Sequence, residues 1–234
     1  MENVPGQKIL TIDIGGSHVK AVIVDAQGAL ISDYKRVPTP VPATPEAVLK
    51  AIKGMVTEFS FDKVSVGFPG YVKNGIVETA PNLGTESWSH YNLAQALSES
   101  LQKPVKVVND ADLQGLGLAK GKGLELVITL GTGFGTAMIN DGVLLPHLEL
   151  AHHPVTKNQT YDEYIGQKAL DKIGKKRWNK RMKNVIGILI TVFHYDFLSI
   201  SGGNADKLTF KLDSNISIDS NRDGIKGGAK LWSL

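Results

Sequence analysis

Asn109 and Asp110 close an apolar run, Val105–Val108, and offer the clearest candidate for chemistry in the chain. A free Asp has a pKa of about 3.9 and is ionised at neutral pH. Held against a hydroxyl, such a carboxylate can accept its proton while the oxygen attacks phosphorus. The same residue can cap a helix that starts at Ala111, and the two roles are compatible. Asp13 ends a second apolar run and precedes Gly15-Gly16-Ser17. Adjacent glycines let backbone N–H groups converge on an anion. A carboxylate beside that cradle suits a Mg²⁺ ion, bound directly or through water; the alternative is an ordinary hairpin with a solvated Asp. Glu149 and His152 are three residues apart, so a helical turn presents both to one side. They either bond neighbouring hydroxyls of one ligand or are a surface Glu and a partly buried His. A zinc site from Glu149, His152 and His153 is the poorer reading, because adjacent histidines point apart and no fourth ligand is evident.

The elements that must position these residues come as a repeat. Ile9–Ile12 runs into the first glycine pair, Val19–Val24 leaves it, and the chain turns at Asp25–Gly28 and returns over Ala29–Val37. Leu124–Leu130 runs into Gly131-Thr132-Gly133-Phe134-Gly135, Thr136–Ile139 leaves, and the chain turns at Asn140-Asp141-Gly142. Strand, glycine turn, strand, turn, strand thus occurs twice, which predicts two similar α/β lobes with the glycine turns facing one cleft. The expected division is 1–109 and 110–234, with the terminal segment at about 222–234 packing back on the first lobe. Thr44 with Pro45, and Asn92, are expected to open helices. Gly115 and Gly117 suggest close packing of the helix after Asp110. Residues 161–192 read as helices broken near Gly174, and Phe197–Ser201 as a strand that meets Gly202-Gly203.

Composition bounds the function. The chain has 234 residues, 42% hydrophobic and 21% charged, enough for a sizeable core. A net charge of +3 is too mild to mark a nucleic-acid binder by itself. There is no cysteine, which excludes disulfides, thiol catalysis and cysteine zinc sites. The polar start carries no signal-peptide pattern, and no apolar run approaches the ~20 residues of a membrane span, so a cytoplasmic protein is expected. Gly131–Gly135 opens a hairpin rather than a helix, which argues against a dinucleotide loop. No Walker A sequence and no G-x-S-x-G elbow occur. One local excess stands out: Lys172–Lys183 holds seven cations in twelve residues and no acid. It is either a solvated helix face or a track for a polyanion.

Taken together, Asp13-Ile14-Gly15-Gly16-Ser17, Asn109-Asp110-Ala111-Asp112, Leu130 to Gly135, Glu149-x-x-His152 and Ser201-Gly202-Gly203 resemble the ROK family of sugar kinases. That family belongs to the actin-like, ribonuclease H-like sugar-kinase superfamily. Gly67-Phe68-Pro69-Gly70 and Ala80-Pro81-Asn82-Leu83 carry a closer likeness to its polyphosphate-using glucokinase branch. The resemblance spans about Ile9 to Ala229. It implies two actin-like lobes closing on glucose, with Asp110 as general base toward the sugar 6-hydroxyl. It assigns Asn82, Asn109, Asp110, Glu149 and His152 to the sugar. It assigns Asp13, Gly15, Gly16, Ser17, Gly131, Thr132, Gly133 and Gly135 to the phosphoryl donor, polyphosphate or ATP, with Mg²⁺ at Asp13. Gly202 and Gly203 would lie near an adenosine. A homodimer is expected, and no nucleic-acid or membrane partner. A kinase of another hexose such as mannose and a non-catalytic sugar-binding protein are the alternatives. Three departures stand out. The cysteine-rich zinc motif of many members is missing, the usual glycine before His152 is Ala151, and the region after His153 is short, with Glu163 a candidate to replace a sugar contact there.

Overall fold

The computed structural model describes residues 6–220 and 224–233. In the first unit five apolar runs pair into one sheet. They are β1 (Ile9–Ile14), β2 (His18–Val24), β3 (Lys35–Pro38), β4 (Lys63–Phe68) and β5 (Val105–Asn109), in the order β3-β2-β1-β4-β5. β1 runs antiparallel to β2 and parallel to β4, which is parallel to β5. Alternation on β1 divides its burial between two faces. Leu10, Ile12 and Ile14 point into a core with helix α1 (Pro45–Met55) and helix α2 (Leu93–Leu101). Thr44 Oγ1 caps α1 by accepting from Ala47 N at 3.3 Å, and Asn92 Oδ1 caps α2 by accepting from Gln95 N at 3.0 Å. Ile9, on the opposite face, packs with Val22, Val24, Ala229 and Trp232.

The second unit repeats this order with β6 (Leu124–Leu130), β7 (Phe134–Asn140), β8 (Val143–Leu144), β9 (Phe197–Ser201) and β10 (Ile216–Ile218), arranged β8-β7-β6-β9-β10. The strand directions repeat as well: β6 is antiparallel to β7 and parallel to β9, and β9 is parallel to β10. Its core sets Leu126, Ile128, Leu130 and Phe134 against Trp178, Met182, Val185 and Leu189 of the long helix α5 (Gln167–Phe193). Gly174, at φ 76°, interrupts that helix where the sequence suggests a break. Among the described residues no helix is long and apolar enough to cross a membrane.

Two expectations change. The return strand is Lys35–Pro38 rather than Ala29–Val37; Leu30 keeps a single bridge to Val24, and Leu30, Ile31 and Tyr34 are exposed, so pairing there buries little. The compact units are 1–117 with 224–234, and 118–223, so the division falls after Gly117 instead of Asn109. Helix α3 (Asp110–Leu118) stays with the first unit because it packs on β4 and on the terminal segment. A Cβ on Gly67 would stand 3.1 Å from Leu113 Cδ2, and one on Gly227 would stand 1.8 Å from Leu113 O. The terminal segment contains a helical turn, α6 (Gly227–Lys230), and lies against the back of the first sheet, while residues 221–223 and 234 of it lie outside the described residues.

Candidate active site

In the first unit, parallel β1, β4 and β5 end along one edge, the usual location of ligand sites in such sheets. Asp13 pairs across from Gly67, and Phe68 from Asn109. Asn109 is 7% exposed; its Nδ2 donates to Gly70 O at 3.0 Å and its Oδ1 accepts from Ala111 N at 2.7 Å. Asp110 is half-buried and accepts the same N–H through Oδ1 at 2.8 Å. Asp110 is itself the first residue of α3, and Asn109, whose Oδ1 accepts from the N–H two residues on, stands in the cap position; the Asp110 carboxylate lies at the helix start, where the terminus favours an anion.

The first glycine turn differs from the expected cradle. Gly15 N already donates to His18 O at 3.0 Å, so it is spent within the turn. Gly16 and Ser17 are exposed, and their N–H groups donate to no described residue. Neither glycine has positive φ. The requirement is space: a Cβ on Gly16 would stand 3.6 Å from the Cβ of Asn82, which brings an expected sugar residue against an expected phosphate turn. Asp13 Oδ2 accepts from Lys20 Nζ at 3.0 Å, and the Asp13 side chain is 24% exposed. One partly exposed carboxylate fits a Mg²⁺ that keeps most of its waters and binds chiefly through phosphates. No group of three or more His, Asp or Glu forms a closed metal cage among the described residues.

In the second unit, β6 and β9 end side by side, with Ser201 across from Thr129, so the Gly131 turn and Gly202-Gly203 share an edge. Gly202 has φ 96°, and a Cβ there would stand 2.2 Å from Leu130 O, so only glycine fits. Asn204, 3% exposed, ties the two turns together: its N donates to Leu130 O at 2.9 Å and its Nδ2 to Gly131 O at 3.2 Å and Gln167 Oε1 at 2.9 Å. Gly131 N donates to Gly133 O at 3.1 Å. Asp162, on α4 (Tyr161–Ile165), accepts from Phe134 N at 2.6 Å. Burial pushes the Asp162 carboxyl up, against the pull of that N–H and of His152. Thr132 and Gly133 therefore keep the backbone donors available to a phosphate, while Gly135 belongs to β7, opposite Thr129, and not to the turn.

Glu149 and His152 do meet. A 3₁₀ turn over Leu150–His152 places His152 Nε2 3.8 Å from Glu149 Oε2. The other oxygen, Oε1, is buried 3.5 Å from Nε2 of His147, whose side chain is 6% exposed. That contact is long for a hydrogen bond. Contact with His147 draws the Glu149 carboxyl below the usual carboxylate range; burial opposes this, and the charges of His147 and His152 assist it. Oε1 is thus buried beside His147, while Oε2 lies toward the exposed His152. Glu163 forms a capping box with Thr160, its Oε2 accepting from Thr160 N at 2.9 Å. His147, Asp162 and Asn204 are absent from the sequence reading. His147-x-Glu149 is visible as a spacing, but burial alone distinguishes it.

Residues 9–152 match the model of the ROK family. The chain belongs to the ROK family. A polyphosphate glucokinase of Mycobacterium tuberculosis is 35% identical over 225 residues, covering 90% of this chain and 82% of that protein. One of Mycobacterium leprae is 36% identical over 207 residues, covering 84% of this chain; the match spans just under two thirds of that relative, 63%. Among solved structures, an inorganic polyphosphate/ATP-glucomannokinase from Arthrobacter sp. strain KM superposes with a TM-score of 0.86 at 33% identity, over 98% of this chain and 99% of that one. The two repeated sheets are accordingly the two actin-like lobes of a ROK sugar kinase.

Proposed function

We propose that this chain transfers a phosphoryl group from polyphosphate or ATP to the 6-hydroxyl of glucose. The observation that carries the reading is Asp110, an accessible carboxylate fixed by its own helix at the end of β5, next to buried Asn109. In the step, the sugar O6 forms a bond to the terminal phosphorus of the donor, the bond from that phosphorus to its bridging oxygen breaks, and the O6 proton passes to Asp110. Asn82, Asn109, Glu149 and His152 hold the other hydroxyls. The backbone N–H groups of Gly16, Ser17, Thr132 and Gly133 are the candidate donors to phosphate oxygens. Gly202 and Gly203 sit by the adenosine when ATP is the donor. Asp13 would hold Mg²⁺, and the ion would supply charge neutralisation on the donor phosphates. A homodimer and a cytoplasmic location are part of the proposal and rest on family membership.

The test is a coupled assay of sugar phosphorylation with ATP and polyphosphate offered separately. Turnover of glucose with either donor is expected; tight glucose binding without turnover would instead mark a sugar-binding protein. Mannose belongs in the same assay, because the Arthrobacter relative is named a glucomannokinase.

The Glu149 environment gives a pH prediction. Glu149 must be ionised to accept from sugar hydroxyls. Because its pKa lies below the usual range, it stays ionised as pH falls through about 4.3, where a free Glu is half protonated. His147→Leu removes the lowering contact and leaves burial, which raises the pKa. The acid limb of kcat/KM for glucose should then move to higher pH. A limb that stays in place in this variant, with the fold intact, would show that His147 does not set the charge of Glu149.

A further inference from the structure

The glycine turns account for one end of a phosphoryl donor and leave the basic stretch of α5 without a role. Of its seven cations, Arg181 is engaged: its Nη1 donates to Tyr164 O at 2.8 Å and its guanidinium lies 4.3 Å from the Tyr164 ring. The other six, Lys172, Lys175, Lys176, Arg177, Lys180 and Lys183, are exposed, and none makes an ion pair with a described residue. The break at Gly174 takes Lys172 off the helical face. Beyond it, Lys176, Lys180 and Lys183 follow at four and three residues, with Trp178, Met182 and Val185 buried on the opposite side. They line one outward face over about 10 Å, at 1.5 Å per residue.

This arrangement costs helix stability. Lys176–Lys180, Arg177–Arg181 and Lys180–Lys183 are like-charge neighbours at i,i+4 or i,i+3 spacing, which destabilises a helix. A face that served solvation alone would do as well with mixed charge. The helix also begins at the donor turn of the same lobe: Gln167 N donates to Thr132 O at 3.2 Å, and Asn204 joins Gln167 to Gly131. The cations thus follow in sequence from the turn expected to take the terminal phosphates, with the kink at Gly174 between that turn and the face of Lys176, Lys180 and Lys183.

We infer that the outward face of α5, carried by Lys176, Lys180 and Lys183, binds the distal phosphates of a long polyphosphate chain whose reacting end lies at the Gly131 turn. The inference rests on the proposed use of polyphosphate as donor. Linear polyanions carry condensed counterions, and each cation that replaces one makes binding more salt-sensitive, by a log–log slope of about 0.7 for a single-stranded polymer. ATP and tripolyphosphate carry three phosphates each and serve as the short donors against which the long chain is compared.

The test compares the wild type with Lys176→Ala/Lys180→Ala/Lys183→Ala, three exposed changes away from the glycine turns. KM for long-chain polyphosphate should rise about tenfold or more, and its salt slope should fall by about 2, three times the single-cation value. KM for ATP, tripolyphosphate and glucose should stay within twofold. An equal rise for tripolyphosphate or ATP would overturn the track, since the helix would then be acting through the donor turn. Binding of fluorescently labelled long-chain polyphosphate, read without glucose, separates the track from the catalytic reading. Weakened binding by the triple variant supports the track even where polyphosphate turnover is absent; equal binding overturns it. Displacement of the label by single-stranded DNA at equal phosphate concentration would reassign the face to nucleic acid.

Discussion

Asp110→Asn is expected to lower kcat by about 10²–10⁴-fold, the usual range for loss of a general base, with glucose binding kept. The amide preserves size and an oxygen that can still accept from Ala111 N, now at 2.8 Å, so the start of α3 stays capped. Asn109 keeps its bonds to Gly70 O and Ala111 N and continues to shape the edge of β5. The proton acceptor is lost together with the negative charge at the helix start. The informative pair of measurements is single-turnover phosphorylation and glucose affinity by intrinsic fluorescence. A variant that binds glucose and turns over within threefold of wild type would remove Asp110 from the mechanism.

Trp232→Ala is expected to destabilise the first lobe by about 3–5 kcal/mol, the range for deleting a buried large aromatic. Trp232 is 4% exposed and packs on Ile9, Val22 and Val24 of the back face of the sheet. Its Nε1 donates to Ser65 Oγ at 2.9 Å, and Ser65 Oγ donates to Gly228 O at 2.6 Å, so the ring anchors a buried polar chain as well as apolar area. Lys63 and Lys106 place their Nζ atoms 4.8 and 5.1 Å from the ring. Burial and the neighbouring Lys63 charge lower the Lys106 pKa, in that order. Chemical denaturation followed by tryptophan fluorescence and far-UV circular dichroism measures the loss. A cost under about 1 kcal/mol would mean that the terminal segment only lies on the sheet without holding it.

Much of the molecule was legible from pattern. Strand alternation, the paired glycine turns and the Thr44 and Asn92 caps are local properties, governed by φ/ψ preference and by which side chains can bond the nearest N–H. Helix spacing likewise brought Glu149 and His152 within reach of each other. Five ordered motifs, each weak alone, were enough for the family because their order along the chain repeats one topology in both lobes.

What local pattern could not supply was occupancy. Two glycines in a row signal open backbone, but whether an N–H is free depends on what folds onto it; Gly15 N is taken by His18 O, and Phe134 N by Asp162 from a segment 28 positions away. Glu163 is a candidate sugar contact only through the shortened region after His153, and its capping box with Thr160, three residues before it, is a local feature that the fold reveals. The Asn109 division failed because α3 is held by Gly67 and Gly227, contacts that close over long stretches of chain. His147, Asp162, Asn204 and Trp232 matter through burial, and burial is a property of the assembled core. The sequence by itself determined the repeated strand–turn–strand pattern, the caps at Thr44 and Asn92 and the chemical types at the site. The tertiary structure decided which donors remain open, which carboxylates are anchored and which cations face solvent, because each depends on distant groups excluding water from the same small volume.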